Sequence, residues 1–170
     1  VIGNPPYVSV SEIPSDQKDY ILSEVYSTTQ RRVDLYVAFI EKGFSLNAQE
    51  GQLSYIIPQP FLSQTYAEEL RKYLLDYDIP EIVDLSEYEI FEDAEVDNII
   101  LSLRASNERD EVLAIEQDED PNKTETIEGI EKKISKADFR KMFNTMYRLE
   151  INPSLLELKE SIDNNSFRLG

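Results

Sequence analysis

The hydrophobic positions of this chain change period from segment to segment, and the changes mark out its elements. Val1-Ile2-Gly3 reads as the end of a buried strand. Asn4-Pro5-Pro6-Tyr7 must leave it as a loop, because neither proline can donate to a ladder. The loop continues over residues 8–14. Ser15 is then placed as the N-cap of a helix with Tyr20, Ile21, Val25 and Tyr26 as its apolar positions. A stronger helix is predicted from about Arg32 to Leu46, where Leu35, Tyr36, Phe39, Ile40, Phe44 and Leu46 mostly fall three or four apart. Gly51 turns the chain into a strand over Gln52–Ile57, stopped by Pro58 and Pro60. A helix from about Leu62 to Asp76 follows, with Leu62, Tyr66, Leu70 and Tyr73/Leu74 on one face. Strands are then predicted over Glu81–Leu85 and Asn98–Leu103, with a polar loop from Ser86 to Asp97 between them.

Strand, helix, strand, helix, strand, strand is the grammar of an open α/β sheet. The continuous apolar strands suit burial on both faces. The last two strands, joined without a helix, imply an antiparallel hairpin at the sheet edge. After Arg104 the pattern weakens. Val112–Ile115 is one more short strand, Gln117–Thr126 is acidic and turn-prone, and helices are predicted over Ser135–Met146 and Pro153–Ile162. No internal repeat is evident.

Composition narrows the chemistry. The chain has 170 residues, enough for one domain with a real core, and it opens on Val1 rather than methionine, so it reads as a piece of a longer protein. Lys and Arg total 17 against 34 Asp and Glu, a net charge of −17, which argues against this chain alone gripping DNA strongly. There is no cysteine and no histidine. Disulfides, thiolate metal sites and the Ser-His-Asp and Cys-His hydrolases are thereby excluded within the chain. No apolar run approaches the roughly 18 residues of a membrane span and no signal peptide is visible, so no membrane partner is expected and a cytoplasmic location is.

The informative motif is Asn4-Pro5-Pro6-Tyr7, set directly after a hydrophobic strand end, where an α/β sheet places its ligands. Two prolines make a stiff loop that lacks N–H groups and displays carbonyl oxygens. Asn4 adds a side-chain carbonyl and Tyr7 a large planar face. Such a set suits an exocyclic amine. Two carbonyl acceptors gripping its N–H hydrogens favour a tetrahedral nitrogen and free the lone pair for attack. The same four letters also serve as a turn initiator or as a ligand for small proline-recognising domains. The strand before them favours the functional reading. Other candidates read more simply: Asp34 as a helix-dipole partner, Pro58-Gln59-Pro60-Phe61 as a turn beside the loop, and Arg31-Arg32 and Arg71-Lys72 as solvated helix faces rather than phosphate contacts. The acidic pairs lack calcium-loop spacing, and no metal is expected.

VIGNPPY resembles motif IV of the class I S-adenosylmethionine-dependent amino-methyltransferases. DLYVAFIEKGFSL, GQLSYIIPQPFLSQTYAEELRKYLL and IPEIVDLSEYEIFEDAEVDNIILSL are similar to the γ-type adenine-N6 DNA methyltransferases, closest to the Eco57I-type restriction–modification enzymes. The resemblance covers about residues 1–104. It implies the C-terminal half of a Rossmann-like sheet with an antiparallel edge hairpin. Residues 1–104 would be a partial catalytic domain, and residues 105–170 a partly helical connector toward a target-recognition domain. It also implies that the Asn4 side chain and the Pro5 carbonyl accept from the adenine amine, that Tyr7 stacks on a flipped adenine, and that Pro6 and Phe91 help to bind the base. The family's glycine-rich cofactor turn and its ribose-binding acid are not found here. The expectation is therefore that the isolated chain neither binds S-adenosylmethionine tightly nor transfers methyl. Double-stranded DNA is met through the intact parent, with or without a fused nuclease. The open sheet edge beside Val1 invites pairing with a second copy. The alternatives are an NPPY enzyme acting on guanine in ribosomal RNA or on protein glutamine, and a non-catalytic specificity or interaction module.

Overall fold

In a computed structural model, residues 1–23, 26–29, 34–48, 50–86, 96–117 and 129–149 are described. Six strands form one sheet: β1 (Ile2–Gly3), β2 (Gln52–Pro58), β3 (Asp78–Asp84), β4 (Asn98–Arg104), β5 (Glu111–Gln117) and β6 (Gly129–Ser135). Their spatial order is β1-β2-β4-β3-β5-β6. β1 runs parallel to β2 and β3 parallel to β5, while β4 is antiparallel to both of its neighbours and β6 to β5. The helices are α1 (Ser15–Ile21), α2 (Leu35–Ser45), α3 (Glu68–Leu74) and α4 (Lys136–Lys141).

The expected α/β architecture is present, with adjustments that have physical causes. β3 and β4 do pair antiparallel, but β4 inserts between β2 and β3, so this hairpin is internal. The edge is made instead by β5 and β6, and the sheet therefore continues past Arg104. β6 escaped the hydrophobic pattern because its sequence, GIEKKIS, is mostly charged and polar. An edge strand tolerates this, and its charges discourage pairing with another chain. Only Ile134 at its far end is buried, while Ile130 is 53% exposed. The helix predicted over Ser135–Met146 is shorter: α4 stops at Lys141, where Met142 turns extended, and Ser135 is its N-cap, accepting from the Ala137 N–H at 3.1 Å. The segment predicted as a helix over Pro153–Ile162 and the acidic stretch 118–126 lie outside the described residues.

Of the face predicted for α2, Tyr36, Ile40 and Phe44 are buried, joined by Val37 and Ala38, while Leu46, just past its end, is 72% exposed. Phe39, expected on that face, is 47% exposed. It lies roughly 115° from the centre of the buried stripe at 100° per residue. The helix predicted from Leu62 begins late. Residues 59–62 and 65–67 form tight 3₁₀ turns, and α3 covers only Glu68–Leu74. The carbonyls of Phe61 and Gln64, which a continuous helix would use internally, are taken by the Arg71 guanidinium. Ser15 is the first residue of α1 and not its cap, a position held by Pro14.

The core lies between the sheet and α2/α3. Leu53, Ile57, Ile82, Ile99, Leu101 and Leu103 supply the sheet side, and Tyr36, Ile40, Leu70 and Leu74 the helical side. Two glycines decide how closely α2 and β1 approach. A methyl group on Gly43 would come within 2.5 Å of the Tyr55 hydroxyl, and one on Gly3 within 2.9 Å of the same ring. Tyr55 is thus wedged between the helix and the neighbouring strand.

Candidate active site

β1, β2, β3 and β5 all point their carboxyl ends to one edge of the sheet, and the amino end of β4 lies among them. Asn4 leaves β1 at that edge, so the NPPY segment sits where the sequence placed it. β1 itself is less buried than expected. Val1 is 70% and Ile2 91% exposed, and among the described strands β1 has only β2 as a neighbour.

The loop is held at every turn. Ile2 and Gly3 pair with Ser54 and Tyr55, and the Ser54 N–H donates to Val1 at 2.8 Å. Pro5 is buried, while Asn4 and Pro6 are exposed. The Tyr7 hydroxyl donates to the Ile56 carbonyl at 3.1 Å. The Leu35 N–H at the start of α2 donates to the Val8 carbonyl at 2.8 Å, Ser9 bridges to Asp34, and Val10 is buried in the core. The chain is therefore held on both sides of residues 4–6. The Asn4 side chain, in contrast, makes no hydrogen bond to a described residue. A loop held at both ends thus presents an exposed amide.

Tyr7 is half-buried and its hydroxyl points inward, so what remains for a ligand is the ring. Burial pushes its phenol up to about 12. The ring meets Tyr36 edge-on, with centroids 6.4 Å apart. Tyr36 is fully buried, and its hydroxyl shares a 2.9 Å hydrogen bond with that of Tyr66. Tyr66 is also raised to about 12, chiefly by burial. These three phenols are neutral at any ordinary pH, and none is poised as a base. The inner ring of the ladder sets the tilt of the outer one. Phe91, the other aromatic residue expected against the base, lies outside the described residues.

The wall beside the loop depends on a residue that sequence reading put on a solvated face. Arg71 is fully buried and, among the described residues, has no carboxylate within ion-pair distance. Its guanidinium donates to four carbonyls: Phe61 at 2.6 Å, Gln64 at 2.8 Å, and Thr145 and Asn144 each at 2.9 Å. Burial lowers its pKa from the usual arginine value. Five donors in a fixed fork suit it to bind several carbonyls at once. It clamps the turn after β2 to the turn at 143–145, where Asn144 and Thr145 take positive φ of 53° and 49°. Tyr147 closes the clamp. Its hydroxyl donates to the Arg71 carbonyl at 2.5 Å, and its N–H donates to Leu62 at 2.9 Å. Arg71 is thereby removed from the candidate phosphate contacts. Lys72 stays outside, paired with Glu68 and Glu69. Arg31 and Arg32 are outside the described residues. The signal for Arg71 was its spacing, since it follows Leu70 and precedes Leu75 by four, within an apolar stripe.

No described glycine has the positive φ of a tight nucleotide-cradling turn, and each is crowded by neighbours. Among the described residues, no helix is long and apolar enough to cross a membrane.

Comparison with known proteins bears on this arrangement. The chain is 38% identical over 93 residues to the type II methyltransferase M.BstVI of Geobacillus stearothermophilus, covering 54% of this chain and 16% of that protein. It is 30% identical over 132 residues to the type II methyltransferase M.BanIII of Aneurinibacillus aneurinilyticus, covering 74% of this chain and 22% of that one. The chain thus spans less than a quarter of these relatives. Among solved structures, the type IIG restriction endonuclease BpuSI superposes with a TM-score of 0.63 at 17% identity, over 96% of this chain and 22% of its own. A protein of Listeria monocytogenes assigned to the class I S-adenosylmethionine-dependent methyltransferases gives 0.51 at 16% identity, over 97% of this chain and 41% of its own. These two likenesses establish the Rossmann-like α/β fold. The Eco57I restriction-modification methylase model matches residues 1–91, and the chain belongs to that family.

Proposed function

We propose that this chain is the catalytic-loop half of a restriction–modification DNA methyltransferase that methylates adenine at N6. The observation that carries this reading is the NPPY loop: a segment held on both sides, at residues 1–3 and 7–10, whose exposed Asn4 amide has no hydrogen bond to a described residue at the carboxyl edge of the sheet. Asn4 and the Pro5 carbonyl accept the two amine hydrogens of a flipped adenine. The nitrogen then becomes more tetrahedral, and its lone pair is released from the ring. The proton leaves after the new N–C bond forms, so no base need act before it. Tyr7 holds the adenine by ring contact, its tilt set by Tyr36 and Ile56. Pro6 and Phe91 complete the substrate contacts in this reading. The methyl donor, S-adenosylmethionine, is bound by other parts of the intact protein, as are most DNA contacts. The isolated chain is accordingly inactive. Residues 105–149 extend the sheet and, together with 150–170, lead toward a recognition domain.

The test uses the intact parent with methyl-labelled donor and duplex DNA, followed by nucleoside identification. N6-methyladenine is expected as the labelled product. Asn4→Ala should lower the rate by about 10²–10³-fold, the usual effect of removing one positioned hydrogen-bond partner. Label on another base or in no DNA at all, or full activity in Asn4→Ala, would overturn the reading.

A further inference from the structure

A groove of about 370 Å³ opens on the same edge of the sheet, three to four strands from the NPPY loop. Asp84 and Glu116 line it at the ends of β3 and β5. They are neighbours because Val83 pairs with Ile115 one residue earlier. Gln59, Tyr147 and Arg148 line it as well. The segments that carry Gln59 and Tyr147 are joined by the Arg71 clamp and by the Tyr147–Leu62 hydrogen bond, so the groove is built by the fold.

Its chemistry selects an occupant. The Asp84 Oδ1 accepts from the Ser86 N–H at 3.0 Å and from the Ser86 hydroxyl, and the Glu116 Oε2 accepts from Lys132. The second oxygen of each carboxylate has no hydrogen bond to a described residue. Lys132 balances the Glu116 charge, while Asp84 has no ammonium partner among the described residues and disfavours a phosphate beside it; the remaining carboxylate oxygens suit an N–H donor. Asp and Glu accept from the amino group of cytosine, and a glutamine amide pairs with the amino edge of adenine. The exposed Arg148 at the rim suits the phosphate attached to such a base. We propose that the groove is a second nucleobase subsite, which reads the exocyclic amino group of an adenine or cytosine flanking the methylated base. The proposal rests on the reading of the chain as part of a DNA methyltransferase. Strands lie about 4.8 Å apart, so the groove is about 14–19 Å from the NPPY loop along the edge. At about 3.4 Å per base pair, the base that it reads lies within about six pairs of the target.

The test maps methylated adenines by sequencing the DNA of cells that express the intact parent, beside Asp84→Asn, Glu116→Gln and the double variant. Each substitution keeps shape and exchanges one acceptor for a donor. The parent's motif should contain an A- or C-specific position within six pairs of the target. In the variants its preference should fall by roughly 5- to 150-fold, which corresponds to about 1–3 kcal/mol per base contact, with the rest of the motif unchanged. An unchanged motif in the double variant overturns the proposal. So does the absence of such a position, or an equal loss at every site in a variant that melts like the parent. If the parent methylates no DNA, the functional reading fails on its own. The groove is then judged by fluorescence anisotropy on a duplex panel: base-dependent affinity abolished in the double variant supports it, and its absence overturns it.

Discussion

Replacing Arg71 by Met tests the clamp on which the edge of the sheet depends. Methionine fills much of the same volume but donates nothing, so four carbonyls lose their partner. Those of Phe61 and Thr145 are bonded in buried surroundings, and those of Gln64 and Asn144 are part-buried, within reach of water. An orphaned buried acceptor costs about 1–3 kcal/mol, so the two buried carbonyls together cost about 2–6 kcal/mol. The guanidinium's own desolvation penalty disappears in the variant and offsets part of this. A net loss of about 1–4 kcal/mol follows, to which the positive-φ turn at Asn144 and Thr145 adds local loosening. For a chain of this size, 1 kcal/mol moves the melting temperature by about 2–4 °C, so the drop should be about 2–16 °C. Arg71→Lys should recover only a fraction, since a single ammonium cannot span four carbonyls. Circular-dichroism melting of the two variants beside the parent chain gives the answer. A drop equivalent to less than about 1 kcal/mol in Arg71→Met would show that the carbonyls find other partners, and the clamp argument would be wrong.

Other predictions probe separate parts of the molecule. Gly43→Ala drives a methyl group against the Tyr55 hydroxyl at 2.5 Å. It should cost about 1–3 kcal/mol, and Tyr55→Phe in the same chain should restore part of that; equal melting of the single and double variants would refute the wedge. Asp78 is buried beside Lys136 at 3.7 Å. Burial raises its pKa, but bonds from the Ser106 hydroxyl and the Arg109 and Glu108 amides, with the nearby Lys136 charge, together hold it below 3.8. Its contribution is therefore complete above that value and lost as pH falls through the lower folded value, and Asp78→Asn should flatten the acid limb of stability against pH. An unchanged acid limb counts against this. Tyr7 and Tyr66 titrate near 12, so the stability tied to their neutral form is complete below pH 10 and lost as pH rises toward 12. Tyr7→Phe should remove tyrosinate absorbance at 295 nm only above about pH 11; a loss near pH 10 would contradict its burial. Pairing of the exposed β1 edge with a second copy is testable by a concentration series in analytical ultracentrifugation, where a monomer throughout would exclude it.

Periodicity and punctuation were enough to place β2, β4, α2 and the NPPY turn, because each is a local matter. Short apolar runs of β-branched residues bounded by turn signals suit buried strands, prolines end ladders, and a 3.6-residue stripe needs a core. The motif's chemistry was equally local, since two prolines and an asparagine carry their acceptors wherever they stand. Strand order was not legible. Which strands become neighbours depends on how the whole sheet packs, and so β4 was placed at an edge when it lies between β2 and β3. β6 was invisible because an edge strand needs little apolar surface. Arg71 looked like a surface cation because its partners are carbonyls up to 74 residues away, and main-chain acceptors leave no mark in a sequence. The groove was hidden for the same reason: Gln59, Asp84, Glu116 and Arg148 come from four separate segments. Sequence by itself determined which residues carry reactive groups and which segments must be buried. The tertiary structure alone decided which of those groups meet, because contacts between distant segments are set by sheet order and packing and not by spacing along the chain.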